Sequence, residues 1–188
     1  MSLDIHAARD ARPYSNREYL GRALWALMTP LYRCSPRLLF GWRRFLLRCF
    51  GAKVGRAVHI DPSARIEIPW NLDIGEGAAI GAHAWIYSLG LVRIGPRATI
   101  SHRAHLCAGT HDYTDPALPL LRTGLSIGAE AWVCSDAFVG PGVTVGDGAV
   151  VGAAAVAMRD VPAWSVVAGN PARFVKTREL RTTGSASP

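Results

Sequence analysis

Residues 127–150 read IGAEAW-VCSDAF-VGPGVT-VGDGAV, which is four consecutive units of six residues. Each unit begins with Ile or Val, and its fifth residue is Ala or Val. We call the first residue of each unit its leader. Successive residues of a strand point to opposite sides, so the fifth residue of one unit and the leader of the next, two positions apart, both face inward. A helical period of 3.6 residues does not produce this pattern. The stretch therefore predicts short strands with a bend in every unit of six.

This unit, the hexad, recurs thirteen times from residue 54 onward, and twelve of the thirteen leaders are Ile, Leu or Val. Gly follows the leader in eight hexads, and we interpret these glycines as residues that let the backbone turn tightly. Three hexads close a triangular coil, and each coil stacks on the one before it. The sequence therefore predicts an all-β solenoid over residues 54–168.

The interruptions of the repeat all fall at one corner of the predicted prism. The first two coils carry two extra residues each in their third side, and a long loop, residues 112–126, follows the hexad 106–111. His111 is the sixth residue of that hexad, so we expect it to point outward where the loop departs. A neutral imidazole accepts a hydroxyl proton near pH 7. His111 is therefore the candidate general base, against the alternative of a surface histidine in a polar turn.

Charge divides the 188-residue chain into two parts. Residues 1–53 hold ten Arg and Lys against three Asp and Glu, whereas the remainder holds eleven of each sign, so the whole net charge of +7 belongs to the first part. The four cysteines are widely spaced, which argues against a disulfide framework or a zinc site and favours a reducing compartment. The N-terminus lacks the apolar region of a signal peptide, so we expect a cytoplasmic protein.

The N-terminal part, residues 1–53, is predicted to be a basic amphipathic helical segment. Residues 19–50 read as two helices broken at Pro30 and Pro36. In the second helix Arg37, Arg44 and Arg48 share one face, which suits a membrane surface. The alternative is a cap over the open first coil, which a solenoid needs. Nucleic acid is a poor partner, because the basic residues alternate with large aliphatic ones.

Several motifs together resemble a known family. They are the hexads, GTHDY at 109–113, PGVTVGDG at 141–148 and GNPAR at 169–173. The chain resembles the hexapeptide-repeat acetyltransferases, which include galactoside, maltose and nodulation-factor O-acetyltransferases. The likeness is closest to the colanic acid biosynthesis acetyltransferase group, through WRRFLLR at 42–48, FGAK at 50–53, PW at 69–70 and Tyr87. It implies a left-handed parallel β-helix, acetyl-CoA as co-substrate, and a homotrimer that binds acetyl-CoA between neighbouring prisms.

The resemblance also implies roles for single residues. The family's catalytic histidine falls on His111. A threonine that contacts CoA in the family is Met158 here, and the asparagine that contacts the acceptor in galactoside-type members falls near Gly81, which cannot supply that contact. The implied CoA contacts are Ser135, Ala153, Arg159, Arg173 and Lys176, with Trp132 nearby, and the cations among them suit the CoA phosphates. The acceptor candidates are His83, Asn71, Tyr87, Trp85, Asp112 and Tyr113. Residues 169–188 are interpreted as a CoA-side segment and a disordered tail.

We therefore expect acetyl transfer from acetyl-CoA to a sugar hydroxyl in exopolysaccharide biosynthesis, with peripheral contact to the inner face of the membrane through residues 19–50. Two alternatives stay open: acetylation of an amine on an aminosugar or antibiotic, and a non-catalytic trimeric membrane-associated scaffold. Gamma-class carbonic anhydrases share the fold and bind zinc with three histidines. The spacing of His83, His102, His105 and His111 does not match theirs, so no metal site is predicted.

Overall fold

The computed structural model describes residues 3–181, so the predicted disordered tail from Thr182 lies outside the described part of the chain. Three faces of short strands form a triangular prism, and a two-stranded hairpin projects from it. The strands are Lys53–Val54 (β1), His59–Ile60 (β2), Arg65–Ile66 (β3), Leu72–Ile74 (β4), Ala79–Ile80 (β5), Trp85–Tyr87 (β6), Val92–Ile94 (β7), Thr99–Ile100 (β8), His105–Cys107 (β9), Thr110–His111 (β10), Leu120–Leu121 (β11), Leu125–Ile127 (β12), Trp132–Val133 (β13), Phe138–Val139 (β14), Thr144–Val145 (β15), Val150–Val151 (β16), Val156–Ala157 (β17), Ser165–Ala168 (β18) and Arg173–Thr177 (β19).

Each face of the prism is one sheet. The orders are β1-β4-β7-β12-β15, β2-β5-β8-β13-β16-β18-β19 and β3-β6-β9-β14-β17, and within these sheets all pairs are parallel except β18 with β19. The chain visits the three sheets in turn, so every third prism strand returns to the same face. The predicted solenoid is thus confirmed, and the fold is the left-handed parallel β-helix.

The core is the column of inward residues that the hexads specify. Leaders such as Ile60 and Val151 and fifth residues such as Ala104 are 0% exposed. Where three faces converge on one axis the space is narrow, so small fifth residues alternate with larger aliphatic leaders. Burying each aliphatic leader contributes about 1.5–3 kcal/mol. The repeat therefore supplies one continuous apolar column along the prism.

The glycines after the leaders serve a purpose other than the predicted one. A Cβ on Gly75 would lie 2.4 Å from the Pro96 nitrogen, and a Cβ on Gly95 would lie 2.5 Å from the Ala129 nitrogen. The left-handed backbone that makes the turn falls two residues later, as at Arg97 with φ +56°. These glycines are therefore needed because successive coils approach too closely for a side chain.

Three helices precede the prism: Ile5–Asp10 (α1), Asn16–Arg33 (α2) and Phe40–Cys49 (α3). The predicted break at Pro30 is wrong, because α2 continues through Pro30 to Arg33 and the chain bends after it, around Pro36. Ala26, whose carbonyl loses its intrahelical donor at Pro30, is exposed and open to water. A Ser15–Glu18 capping box begins α2.

Helices α2 and α3 cover the open end of the prism with hydrogen-bond donors. First-coil carbonyls that point toward the second coil accept from it, as Arg56 O does from the Gly77 N–H, whereas those that point toward the open end have no strand to pair with. Donor-only side chains fill that place: Arg48 Nε to Val54 O (3.0 Å), Arg44 Nη1 to Val58 O (2.8 Å), Arg43 Nε to Ile60 O (2.7 Å) and Trp25 Nε1 to Ile66 O (2.9 Å). The basic helix is therefore a cap in which these arginines bind backbone.

The chain leaves the prism earlier than the hexads predict. Ala108 is fully buried, but Thr110, which we expected to face inward, is exposed. After Ala108 the chain enters the β10–β11 hairpin, and it rejoins the prism at Leu125. All three insertions do leave from the corner between the third and first sheets. His111 therefore belongs to the hairpin and not to a completed hexad.

Within residues 3–181, none of the helices has the length and apolar character that a membrane span requires.

Candidate functional site

The β10–β11 hairpin fixes His111 at the corner of the prism from which the insertions leave. It is the second residue of β10 and lies opposite Leu120 of β11. Beyond this pair the Asp112 N–H donates to Pro119 O at 3.0 Å, which closes the tip. The side chain of His111 is exposed, so a substrate hydroxyl can reach it.

The carbonyl of Leu118 sets the tautomer of His111. His111 Nδ1 lies 2.6 Å from Leu118 O. A carbonyl oxygen only accepts, so Nδ1 carries the proton and Nε2 keeps a free lone pair. Leu118 has φ +47°, an unusual conformation for a branched side chain, and its own N–H donates to Asp115 O at 2.9 Å. The hairpin tip thus presents a backbone acceptor that leaves Nε2 available as a base.

Asp112 and Tyr113, two acceptor candidates, lie in the hairpin tip. Asp112 Oδ1 accepts hydrogen bonds from Thr114 Oγ1 (2.6 Å) and from the Thr114 N–H (2.9 Å), and these bonds hold the pKa of Asp112 below its usual range. Tyr113 is 85% exposed. The carboxylate of Asp112 therefore stabilises the turn that carries His111, whereas Tyr113 projects into solvent.

A cleft of about 230 Å³ adjoins His111. One wall is the hairpin, a second is the corner of the second coil, and a third comes from the segment before α2. The lining residues are Ala11, Pro13, Tyr14, Tyr87, Leu89, His111, Leu118, Pro119 and Leu120. The N-terminal part of the chain thus helps to form the candidate site, which the sequence analysis missed.

An ion pair ties the start of α2 to the loop. Arg122 Nη2 lies 2.5 Å from Glu18 Oε1, and Arg122 Nε donates to Leu89 O at 3.1 Å. The Arg122 guanidinium also lies over the Tyr14 ring, 5.1 Å from its centroid. The Ser15 N–H and then Arg122 hold the pKa of Glu18 below its usual range. These contacts keep Tyr14 in the wall of the cleft.

The remaining acceptor candidates differ in position: one lines the cleft, one supports the wall of the cleft, and two lie elsewhere. Tyr87 lines the cleft, and burial raises its pKa. Asn71 Nδ2 donates to Ser88 O (3.0 Å) and Leu89 O (2.8 Å), so it supports the wall. Trp85 stacks on His105 of the third sheet, with ring centroids 4.4 Å apart. His83 lies at a different corner, in the turn between β5 and β6 with φ +57°.

The implied CoA contacts lie beyond His111 toward the last coils. Arg159 and Arg173 line one groove of about 390 Å³, together with Met158, which replaces the family's threonine. Ser135 Oγ lies 3.1 Å from His102 Nδ1, and Trp132 Nε1 donates to Ser101 Oγ at 2.8 Å. Ala153 and Lys176 are exposed, the first in the turn after β16 and the second in β19. The structure therefore places Arg159 and Arg173 in one groove and does not bring His111 into it.

No family model matches the chain. A protein of Escherichia coli K12 whose name is colanic acid biosynthesis acetyltransferase WcaF is 42% identical over 154 residues, which are 82% of this chain and 85% of that protein. The maltose O-acetyltransferase of Clostridium difficile 630 superposes with a TM-score of 0.79 at 22% identity, over 88% of this chain and 90% of that chain. A hexapeptide-repeat acetyltransferase of Vibrio cholerae, solved with acetyl coenzyme A, gives a TM-score of 0.80 at 22% identity, over 89% and 92%. The two solved structures share the fold of this chain.

Proposed function

The chain belongs to the hexapeptide-repeat acetyltransferases, in the colanic acid biosynthesis group, and we propose that it transfers acetyl from acetyl-CoA to a saccharide hydroxyl in exopolysaccharide biosynthesis. Membership makes the chain an acyltransferase. The name of the E. coli relative supports the pathway class, and the maltose O-acetyltransferase supports a saccharide hydroxyl as acceptor. The observation that carries the proposal is His111, whose Nδ1 is held by Leu118 O and whose Nε2 has no hydrogen-bond partner among the described residues and adjoins a cleft.

In this reaction acetyl-CoA supplies an activated thioester. His111 Nε2 removes the proton from the acceptor hydroxyl as the oxygen bonds to the acetyl carbon, and the bond from that carbon to sulfur breaks. His111 then returns the proton to the CoA sulfur. The Leu118 carbonyl holds the ring and stabilises the positive charge that forms on it. A proton shuttle of this kind contributes about 10²–10⁴ to the rate.

A thiol-release assay tests this function. With acetyl-CoA as donor and a panel of saccharides, we expect free CoA thiol to appear only when a saccharide with free hydroxyls is present. Release that requires an amino group on the acceptor would favour amine acetylation. No release above the acceptor-free background with any saccharide would contradict the proposal.

We propose that the CoA phosphates bind at Arg159 and Arg173. Both guanidinium groups lie at one groove, and Arg pairs well with phosphate oxygens. In the third sheet β17, which precedes Arg159, is two strands from β9, which precedes His111, or about 10 Å along the prism edge. An extended cofactor can span that distance and bring its thioester to His111.

Changing Arg159 and Arg173 to Gln should raise the KM for acetyl-CoA about tenfold or more and change kcat less, because uniform binding is lost. Arg56→Gln is the matched control, since Arg56 is exposed at the opposite end of the prism. An unchanged KM in the double variant would contradict the placement of the phosphates.

We propose that the protein assembles as a homotrimer, as its resemblance to the family implies. Light scattering should then give three times the chain mass of 20.2 kDa. A mass equal to one chain would contradict the trimer.

We also propose that the cap contacts an anionic membrane leaflet. Its outer surface carries exposed large apolar side chains: Leu20, Leu24, Leu27, Leu31, Leu38, Trp42 and Phe45. Trp42 donates to Leu31 O at 3.1 Å and stacks on Phe45, which holds both rings in place. Arg12 and Arg37, in the same part of the chain, are also exposed. Apolar side chains framed by cations suit an anionic interface.

Vesicle cosedimentation measures this contact. We expect binding to anionic vesicles at low salt, and loss of much of it at high salt, because salt screens the arginines. Leu27→Gln with Leu31→Gln should weaken binding, whereas Leu180→Gln, at an exposed position near the other end of the chain, should not. Arg44 and Arg48 are unsuitable for this test because they bind the carbonyls of the first coil. Protein that stays in the supernatant at low salt would show that the helices are only a cap.

A further inference from the structure

A second cavity, of about 400 Å³, lies between α2 and the third side of the first coil. It is separate from the cleft beside His111 and from the groove of Arg159. Its lining combines aromatic and aliphatic side chains with charged ones. The lining residues are Arg22, Ala23, Trp25, Ala26, Thr29, Tyr32, Arg33, Ala64, Arg65, Ile66 and Glu67.

The cavity carries an excess of positive charge. Three of its lining residues are arginines and one is a glutamate. Glu67 lies 3.8 Å from Arg22 Nη2 and 3.7 Å from Arg65 Nε, which are ion-pair distances beyond hydrogen-bond length. Arg33 forms no ion pair with the described part of the chain. One carboxylate therefore opposes three guanidinium groups.

The cap does not account for these arginines. Arg43, Arg44 and Arg48 donate to carbonyls of the first coil, whereas none of the described contacts of Arg22 and Arg33 is a hydrogen bond to that coil. Arg22 Nη1 is buried without a hydrogen-bond partner among residues 3–181. A buried donor left unpaired costs about 1–3 kcal/mol. An anion bound in the cavity would give this donor an acceptor and offset that cost.

The cavity lies next to the candidate active site. The Arg22 guanidinium is 4.5 Å from the centroid of the Tyr14 ring, and Tyr14 lines the cleft of His111. In the third sheet β3, which borders the cavity, is two strands from β9, which leads to the His111 hairpin. Two strand spacings are about 10 Å. One acceptor molecule of about disaccharide length can therefore reach both places.

We propose that this cavity binds an anionic group of the saccharide acceptor, either the carboxylate of an acidic sugar or a phosphate. The inference rests on the proposed function, because it takes the hydroxyl at His111 and the anion at Arg22, Arg33 and Arg65 as parts of one acceptor. The planar fork of Arg matches carboxylate and phosphate oxygens equally well. The enzyme would then select acidic saccharides over neutral ones of the same size.

Calorimetric titration without acetyl-CoA tests the cavity by itself. The probes are a neutral disaccharide, its counterpart with one uronic acid, and its counterpart with one phosphate. We expect at least one charged probe to bind about tenfold tighter than the neutral one, since a charge-assisted hydrogen bond contributes about that much. The charged probe that binds more tightly identifies the source of the anion.

Arg33→Gln and Arg65→Gln should each reduce this preference several-fold. Arg17→Gln is the matched control on the same helix as Arg33, because Arg17 is exposed and outside the cavity.

Equal affinity for neutral and charged probes, including no measurable binding of either, would overturn the proposal. A preference for the charged probe that survives both variants would overturn it too. A charge preference in binding without thiol release would contradict only the proposed function. Thiol release from neutral and charged acceptors with equal KM would contradict only the anion site.

Discussion

Replacement of His111 by alanine is expected to lower kcat by about 10²–10⁴ without changing the fold, because a positioned general base contributes roughly that much. The side chain is exposed and its only described hydrogen bond goes to Leu118 O, so the prism does not depend on it. The rate of thiol release measures the loss, and circular dichroism measures the fold.

Two further measurements separate catalysis from structure in this variant. Added imidazole should restore part of the rate of His111→Ala, because a small base can enter the vacated space, and it should not affect the wild-type rate. His59→Ala is the control, since His59 is exposed on the first coil, away from the hairpin. A purified His111→Ala enzyme with near-normal kcat would show that His111 is not the base.

Replacement of Arg43 by alanine is expected to lower the free energy of unfolding by about 3–5 kcal/mol, because several acceptors lose their donor at about 1–3 kcal/mol for each buried one. Arg43 is 0% exposed. Its guanidinium donates to Ile60 O (2.7 Å), Ser35 Oγ (2.8 Å), Pro36 O (2.9 Å) and Arg37 O (2.5 Å). The variant leaves these acceptors unpaired and opens a hole between the cap and the first coil.

Urea denaturation measures this loss. Arg37→Ala is the matched control: its side chain is 81% exposed, so we expect a change within about 0.5 kcal/mol. Arg43→Lys should also be destabilised, because an ammonium group has three donors and cannot replace a guanidinium that binds four acceptors. Equal midpoints for Arg43→Ala and the wild type would contradict the role of the arginines as the cap of the prism.

The sequence predicted the prism well because its determinants are local. Whether Ile60 and Ala64 face inward depends only on strand alternation and on the six-residue spacing. The corner that carries the insertions follows from counting residues between leaders. The loss of the repeat after Leu106 was not visible in the same way. Ala108 takes the inward position and the chain leaves at Gly109, although residues 106–111 fit the hexad pattern.

The walls of the cleft depend on contacts that no local pattern records. Glu18 and Arg122 are 104 residues apart in sequence, and their ion pair brings Tyr14 to His111. The same limit applies to Pro30, where packing of Tyr32 against the prism keeps α2 continuous despite the missing N–H. The sequence showed that the basic helix is amphipathic. Only the structure shows that Arg44 of this helix binds a carbonyl of the first coil.

Analysis of the reaction product tests the central claim most directly. Acetyl-CoA and a saccharide acceptor would be incubated with the enzyme, and the saccharide would be examined by mass spectrometry before and after mild alkali. We predict a gain of one acetyl group that mild alkali removes, because esters are cleaved where amides survive, and we predict that His111→Ala forms little of this product. An acetyl group that resists alkali, or a saccharide left unmodified while thiol is released, would contradict saccharide O-acetylation by this protein.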